Sequence, residues 1–294
     1  MADIRYLVGV DGGGTSCRAR ICDLDGNTLG EAKTGSANIL LGSSVAMASI
    51  NDAIATAASQ ANLNNRHFGY MSVGLALAGA EQQKAWYNFM KQPHPYGAIT
   101  LNTDAYGACL GAWGGKDGAI LIAGTGSCGI LLKDGQQHVV GGREFPISDQ
   151  GGGAVMGLRL IQQVLLSVDG IVEQTPLARS VLEYFNHDID NIVLWSKAAR
   201  PCDYGQFSPS IFAHAAQGDQ LAIDMLSQTA RDIEMWMNAL VMRGADKICL
   251  MGSIAERIHA WLVPPMQQRI ATPQGDAMDG AIAMARGNHD LYKL

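Results

Sequence analysis

Apolar and polar positions along this chain fall into short alternating runs punctuated by glycine. Residues 4–10 are mostly apolar and predict a strand, cut short by the turn Asp11-Gly12-Gly13-Gly14-Thr15. From residue 16 to 23, Cys17, Ala19 and Ile21 alternate with Arg18 and Arg20, the period-two pattern of a strand with one buried face. Asp25-Gly26-Asn27 then turns the chain into a third strand. About 110 residues later the same grammar returns, a sign of internal duplication. Residues 118–123 are apolar, Gly124-Thr125-Gly126 turns, residues 127–132 form a strand, and Asp134-Gly135 turns again.

Between these units the pattern predicts a small-residue helix over about 43–61, a buried strand at 71–77, a helix after Gly79 and a strand at 99–103. After the second hairpin the chain reads as mainly helical: 153–167, several segments to about 216, and a long helix from 219 to about 242, followed by a short strand at 247–251. Alternating strands and helices define an α/β class. The expected organisation is two similar facing domains, 1–115 and 116–294, meeting at a close junction near Gly114-Gly115, with the last helix free to pack back on the first domain.

Composition narrows the function. The 294 residues include 35 glycines, about 12% against a usual share near 7%, and the formal net charge is -6. That charge offers no polycationic surface for nucleic acid. No apolar run reaches the roughly 18 residues that cross a bilayer, and residues 1–10 do not read as a secretory leader, so a cytoplasmic location is expected. Six scattered cysteines with no CxxC pair read as small buried hydrophobes rather than disulfides or a zinc site.

A glycine-rich turn in a hairpin offers backbone N–H groups without side-chain obstruction, which suits a phosphate. One such loop is equally an ordinary turn. Two at equivalent points of a duplicated chain favour a nucleotide triphosphate. Residues 124–129 also match G-x-G-x-x-G with Glu144 about twenty residues on, but residues 128–133 read as a strand and not the helix a dinucleotide site needs. There is no G-x-x-x-x-G-K-[ST], no H-E-x-x-H and no G-x-S-x-G.

Asp11 in the first loop would repel phosphate unless a divalent cation stood between them, so it is a candidate magnesium ligand or a turn former. Asp104 follows a strand and precedes a helix, and is either a helix cap or the base that takes a proton from an acceptor hydroxyl. Asp149, ahead of Gly151-Gly152-Gly153, is the rival acid or another N-cap. Asn38 holds a turn or a polar substrate. Gly252-Ser253 is a short connection or a nucleotide contact.

In order along nearly the whole chain, GVDGGGTSCRAR, LNTDAYGACLGA, IAGTGSCGILLK, VGGREFPISDQG and LMGSIAERI resemble the N-acetylglucosamine kinase branch of the BadF/BadG/BcrA/BcrD-type ATPases, within the sugar kinase, Hsp70 and actin superfamily. The resemblance implies two ribonuclease H-like, actin-like ATPase domains with a nucleotide and sugar cleft between them. It places ATP on Gly12, Gly13, Gly14, Thr15, Gly124, Thr125, Gly126, Gly252, Ser253 and Glu256, with Mg2+ at Asp11. It makes Asp104 the catalytic base, and puts the sugar on Asn38, Asp104, Ser127, Cys128, Gly142, Arg143, Glu144 and Asp149.

Where the N-acetylglucosamine kinases carry Gly-Trp-Gly, this chain has Gly142-Arg143-Glu144, and an acidic group there would attract the ammonium of an unacetylated amino sugar. The expected reaction is therefore transfer of the γ-phosphoryl group of ATP to the 6-hydroxyl of glucosamine, a step of amino-sugar and chitin use. The alternatives are an N-acetylglucosamine kinase and, from another class, an ATPase that activates a partner reductase. A sugar-responsive regulator is disfavoured because the first loop begins near residue 9, leaving no room for a helix-turn-helix. A homodimer is left open.

Overall fold

The computed structural model describes residues 3–287 and 289–292. The chain forms two compact units. The first comprises the described residues of Met1–Gly118, Leu132–Gln136 and Thr272–Leu294; the second comprises Ala119–Leu131 and Gln137–Ala271.

The first unit is built from β1 (Tyr6–Gly12), β2 (Cys17–Asp23), β3 (Thr28–Thr34), α1 (Ser43–Gln60), β4 (Met71–Leu77), α2 (Gln83–Met90), β5 (Ala98–Asn102) and α3 (Asp104–Ala112). The second carries all but the end residues of β6 (Gly118–Ala123), β7 (Ser127–Lys133) and β8 (Gln136–Gly141), and the whole of α4 (Gly153–Val168), α5 (Pro176–Tyr184), α6 (Ile189–Ser196), α7 (Pro201–Gly205), α8 (Ser208–Ala216) and α9 (Gln220–Val241). After these come β9 (Ile248–Met251), α10 (Ser253–Ile258), α11 (Pro264–Gln267) and β10 (Ile270–Ala271), and finally α12 (Ala277–Arg286), which belongs with the first unit.

The two sheets have one topology. Their strand orders are β3-β2-β1-β4-β5 and β8-β7-β6-β9-β10. In the first, β1 runs antiparallel to β2 and parallel to β4. In the second, β6 is parallel to β9 and β9 to β10. The duplication read from the two glycine-rich hairpins thus extends to all five strands.

Alternation decides what each face of the first sheet meets. Val8, Val10, Cys17, Ala19 and Ile21 are fully buried and form one core with Ile50, Ala53, Ile54 and Ala57 of α1. On the other face, Leu7 packs with Ile282 and Ala285 of α12. Beside Leu7, Gly9 of β1 stands in register with Gly74 of β4. A Cβ at Gly9 would lie 2.3 Å from the carbonyl oxygen of Met278, and one at Gly74 1.9 Å from that of Ala281. The backbone of α12 therefore rests directly on the sheet. In the second unit, Ala119, Leu121, Ala123, Leu131 and Val140 share a core with α4, α5 and α9.

Most expected elements are present with shifted ends. β1 runs through Asp11 and Gly12, so the first turn is reduced to residues 13–16, closed by Gly13 N–H donating to Ser16 O at 2.9 Å. β5 ends at Asn102, and Thr103 becomes the N-cap of α3. No disulfide forms among the described residues, but Cys128 is half-buried and Cys202 exposed, so burial accounts for four of the six cysteines. Among the described residues no helix is long and apolar enough to cross a membrane.

Gly74→Ala should lower the unfolding free energy by about 1–3 kcal/mol or more, because backbone and not a flexible side chain blocks the new methyl. A fall in the urea midpoint at unchanged slope checks this. Gly69→Ala, whose Cβ would meet nothing within 4 Å, should stay within about 0.5 kcal/mol of the parent.

Candidate active site

Each unit presents a glycine turn with free backbone donors. In the first, Gly13 N–H closes the turn, while the amides of Gly14 and Thr15 donate to no protein acceptor among the described residues. A Cβ on Gly13 or Gly14 would meet nothing within 4 Å, so no packing against these two α-carbons requires glycine there. The turn is braced from behind: Gly13 O accepts from Ala37 N–H at 3.1 Å and from the Ser36 hydroxyl at 3.1 Å.

The second turn repeats this. Gly124 N–H donates to Gly126 O at 3.0 Å, leaving the amides of Thr125 and Gly126 without a protein acceptor among the described residues. Its bracing comes from a helix. The carbonyls of Gly124 and Thr125 accept from Gly153 and Ala154 N–H at 2.8 and 2.9 Å, so the loop caps α4, whose N-cap Gly152 has no side chain to do so. Gly252, at φ +97, leans on the same loop, since a Cβ there would stand 2.6 Å from Ala123 O. Ser253 and Glu256 follow on α10 and are exposed. Gly252 is thus both the connection from β9 to α10 and a neighbour of the glycine turn. The strand β7 that begins directly after Gly126 removes the dinucleotide reading of residues 124–129.

The carboxylates sit differently from a simple capping scheme. Thr103, not Asp104, caps α3, its hydroxyl accepting from Tyr106 N–H at 3.1 Å. Asp104 is the first helical residue; one oxygen accepts from Ala105 N–H at 2.8 Å and the other is unpartnered among the described residues. The corner ahead of it is pinned by the Asn102 amide donating to His289 O at 2.8 Å and by Leu101 N–H donating to Asp290 at 2.8 Å. The Asp104 side chain is open to solvent, yet surrounding protein partly desolvates it. That desolvation, with the negative charges of Glu81 and Asp11 adding to it, pushes its carboxyl above the ordinary range.

Asp149 is likewise not an N-cap, a role taken by Gly152. It has φ 70, accepts from Ser127 N–H at 3.3 Å and lies against Gly126. Burial, and then the charge of Glu144, push its carboxyl up. Around it gather Ser127, whose hydroxyl donates to Gln150 O at 2.7 Å, and Cys128, packed under Gly142. Gly142 itself donates to Ser127 O at 3.0 Å. Arg143 and Glu144 are exposed, and Glu144 has φ 67 with its carboxylate free of protein donors among the described residues. Trp236 of α9 donates to Gln150 O at 2.9 Å, so a tryptophan that the sequence did not single out holds this loop.

In the first unit, Asn38 caps a short helical turn by accepting from Leu40 N–H at 2.8 Å, which leaves its amide NH2 unused. Asp11 is the larger departure. It is part of β1, not of the turn, and its Oδ2 accepts from Arg18 Nε and Nη2 at 3.1 and 2.7 Å. Arg18 was legible only as a polar position on β2. Asp11 Oδ1 has no protein partner among the described residues and is a hard oxygen of the kind magnesium takes. Among the described residues no three His, Cys, Asp or Glu side chains cluster as metal ligands. A cation beside Asp11 would therefore complete its shell with phosphate and water oxygens, as magnesium does at nucleotides.

Twin α/β units with one strand order, each with an amide-lined glycine turn, are the fold of the actin-like sugar kinases. A glucokinase of the ROK family from Streptomyces griseus, solved with glucose and AMPPNP, has this fold at 16% identity and a TM-score of 0.52, covering 96% of this chain and 98% of its own. Residues 8–285 match the BadF/BadG/BcrA/BcrD ATPase family, and the chain belongs to it. It is 66% identical over 291 residues to the glucosamine kinase GspK of Vibrio cholerae serotype O1, covering 99% of both chains. It is also 32% identical to a solved structure from Chromobacterium violaceum provisionally named an N-acetylglucosamine kinase. That match has a TM-score of 0.88 and covers 96% of this chain and 99% of the other.

The raised carboxyl of Asp104 fixes a stability effect. A carboxyl whose folded pKa exceeds its unfolded value costs stability above the folded pKa and nothing below the unfolded one. Asp104→Asn should therefore melt higher than the parent near pH 7, with the gain fading as pH falls through that window. Paired melting curves from pH 7 to pH 3.5 check it.

Proposed function

We propose that this chain transfers the γ-phosphoryl group of ATP to the 6-hydroxyl of glucosamine, giving glucosamine 6-phosphate and ADP. The observation that carries the reading is the pair of glycine turns, each with two adjacent amides that donate to nothing among the described residues. Such amides are ready donors for phosphate oxygens and need no reorganisation when charge builds in the transition state. In this reading Gly12 to Thr15 and Gly124 to Gly126 hold the phosphates, and Gly252, Ser253 and Glu256 meet the nucleoside. Magnesium, when bound at Asp11, spreads the charge of the transferring phosphate.

Asp104 keeps one oxygen on Ala105 N–H and turns the other to the acceptor. That oxygen orients the 6-hydroxyl and takes its proton as the new O–P bond forms and the bond to ADP breaks. Asn38, Ser127, Cys128, Gly142, Arg143 and Asp149 surround the sugar. The free carboxylate of Glu144, beside Asp149, gives the sugar's ammonium an acidic neighbourhood. The same site with an acetylated amine is the second reading, favoured by the name of the Chromobacterium structure. The reaction is placed in the cytoplasm, on amino sugar released from chitin.

A coupled ADP-release assay over glucosamine, N-acetylglucosamine and glucose tests the substrate; faster turnover of the acetylated sugar overturns the assignment. Asp104→Asn should lose about 10²–10⁴-fold in kcat while still binding ATP. In the parent, kcat/KM should fall on the acid side with an apparent pKa above the usual carboxylate range. Glu144→Gln should reduce the preference for glucosamine over its N-acetyl form about tenfold, read as the ratio of kcat/KM values.

A further inference from the structure

We propose that Arg18 is a positioning residue that sets the Asp11 carboxylate for the cation accompanying ATP. The inference rests on the proposed role of Asp11 and adds to it a residue outside the glycine turn. Arg18 and Asp11 are direct cross-strand partners of the β1–β2 ladder, so their side chains share one face of the sheet. Arg18 Nε and Nη2 both converge on Oδ2 of Asp11. An arginine fork facing a carboxylate squarely would occupy both oxygens. Here it takes one, and Oδ1 is left as the carboxylate oxygen of Asp11 with nothing to bind among the described residues.

The arginine is itself held from behind. Its Nη1 lies 3.5 Å from Oδ2 of Asp276, the N-cap of α12. Asp276 also lies 3.4 Å from Arg20, which pairs in turn with Glu31 and Asp279. Both edges of the Arg18 guanidinium are therefore engaged, which fixes its plane and hence the rotation of Asp11. A flat, five-donor cation can do this; a lysine ammonium, a point charge on a flexible stem, cannot hold the same geometry. The positive charge of Arg18 also offsets the negative charge of Asp11, so the carboxylate does not face the phosphates uncompensated.

The test is calorimetric binding of a non-hydrolysable ATP analogue with Mg2+ and in EDTA. The readout is the ratio of the two affinities, which requires no turnover. The parent should prefer the metal-loaded form. Arg18→Gln should lower that preference about tenfold while metal-free binding stays within twofold, and Arg18→Lys should recover only part of it. Because Arg18 acts through Asp11, Asp11→Asn and the double variant should show the same preference within twofold.

An Arg18→Gln protein that keeps the parental preference, or weakens both forms equally as a merely structural change would, overturns the inference. Should Arg18→Gln not fold, a folded Arg18→Lys with the full parental preference overturns it as well. A parent with no metal preference overturns this inference together with the role of Asp11. A parent that shows the Arg18 effect but phosphorylates no sugar sinks the kinase reading alone.

Discussion

Backbone meets backbone where α12 crosses β1, β4 and α3. Gly9 and Gly74, paired in the sheet, admit the carbonyls of Met278 and Ala281, and Gly111 of α3 admits that of Asp276. Gly280 on α12 returns the contact by admitting Gly107 O. At each point an added Cβ would approach backbone oxygen within 2.3 Å, closer than any side chain could yield to. The positions of Asp11 and Asp104 follow from this contact. β1 carries the first, α3 begins with the second, and both are fitted to the same helix. The Arg18–Asp276 pair adds a polar tie between that helix and Asp11.

The two glycine turns solve one problem by different means. Each spends its first amide on closing the turn and leaves the next two without a protein acceptor among the described residues, so the turn is held through its carbonyls instead. The first leans on Ser36 and Ala37, beside Asn38. The second leans on the N-terminus of α4, where loop carbonyls and helix amides satisfy each other. Gly152 and Gly153 make that approach feasible: a Cβ on Gly152 would fall 2.7 Å from the backbone carbon of Gly126, while one on Gly151 would meet Ile233 of α9 at 2.8 Å. The glycine-rich stretch after Asp149 is thus explained by packing as much as by the bend that places Asp149.

Period-two alternation and turn residues made the hairpins and their duplication legible, because those signals are local. Asp104 and Asp149 were legible as candidates, but not which residue caps the helix after each, since Thr103 and Gly152 take that position through geometry that a shift of one to three residues decides. Arg18 was visible only as the polar half of an alternation. Its partner Asp11 is seven residues away across a turn, and Asp276 is 258 residues away, a separation no spacing rule reaches. Trp236 was not singled out for the same reason: its indole meets Gln150 O across 86 residues. Chemistry-bearing residues in short motifs could be found from sequence; those that hold them in place, drawn from distant segments, could not.

The return of residues 272 onward to the first unit has a consequence for biosynthesis. The N-terminal sheet leaves the ribosome with its glycine face bare, and the helix that covers it begins at Ala277, 175 residues after β5 ends at Asn102. At translation speeds of about 5–20 residues per second, that exposure lasts on the order of ten to thirty seconds. The nascent first unit lacks its covering helix until α12 has been made, so a ribosome that stalls before Ala277 yields a chain whose first sheet is left uncovered.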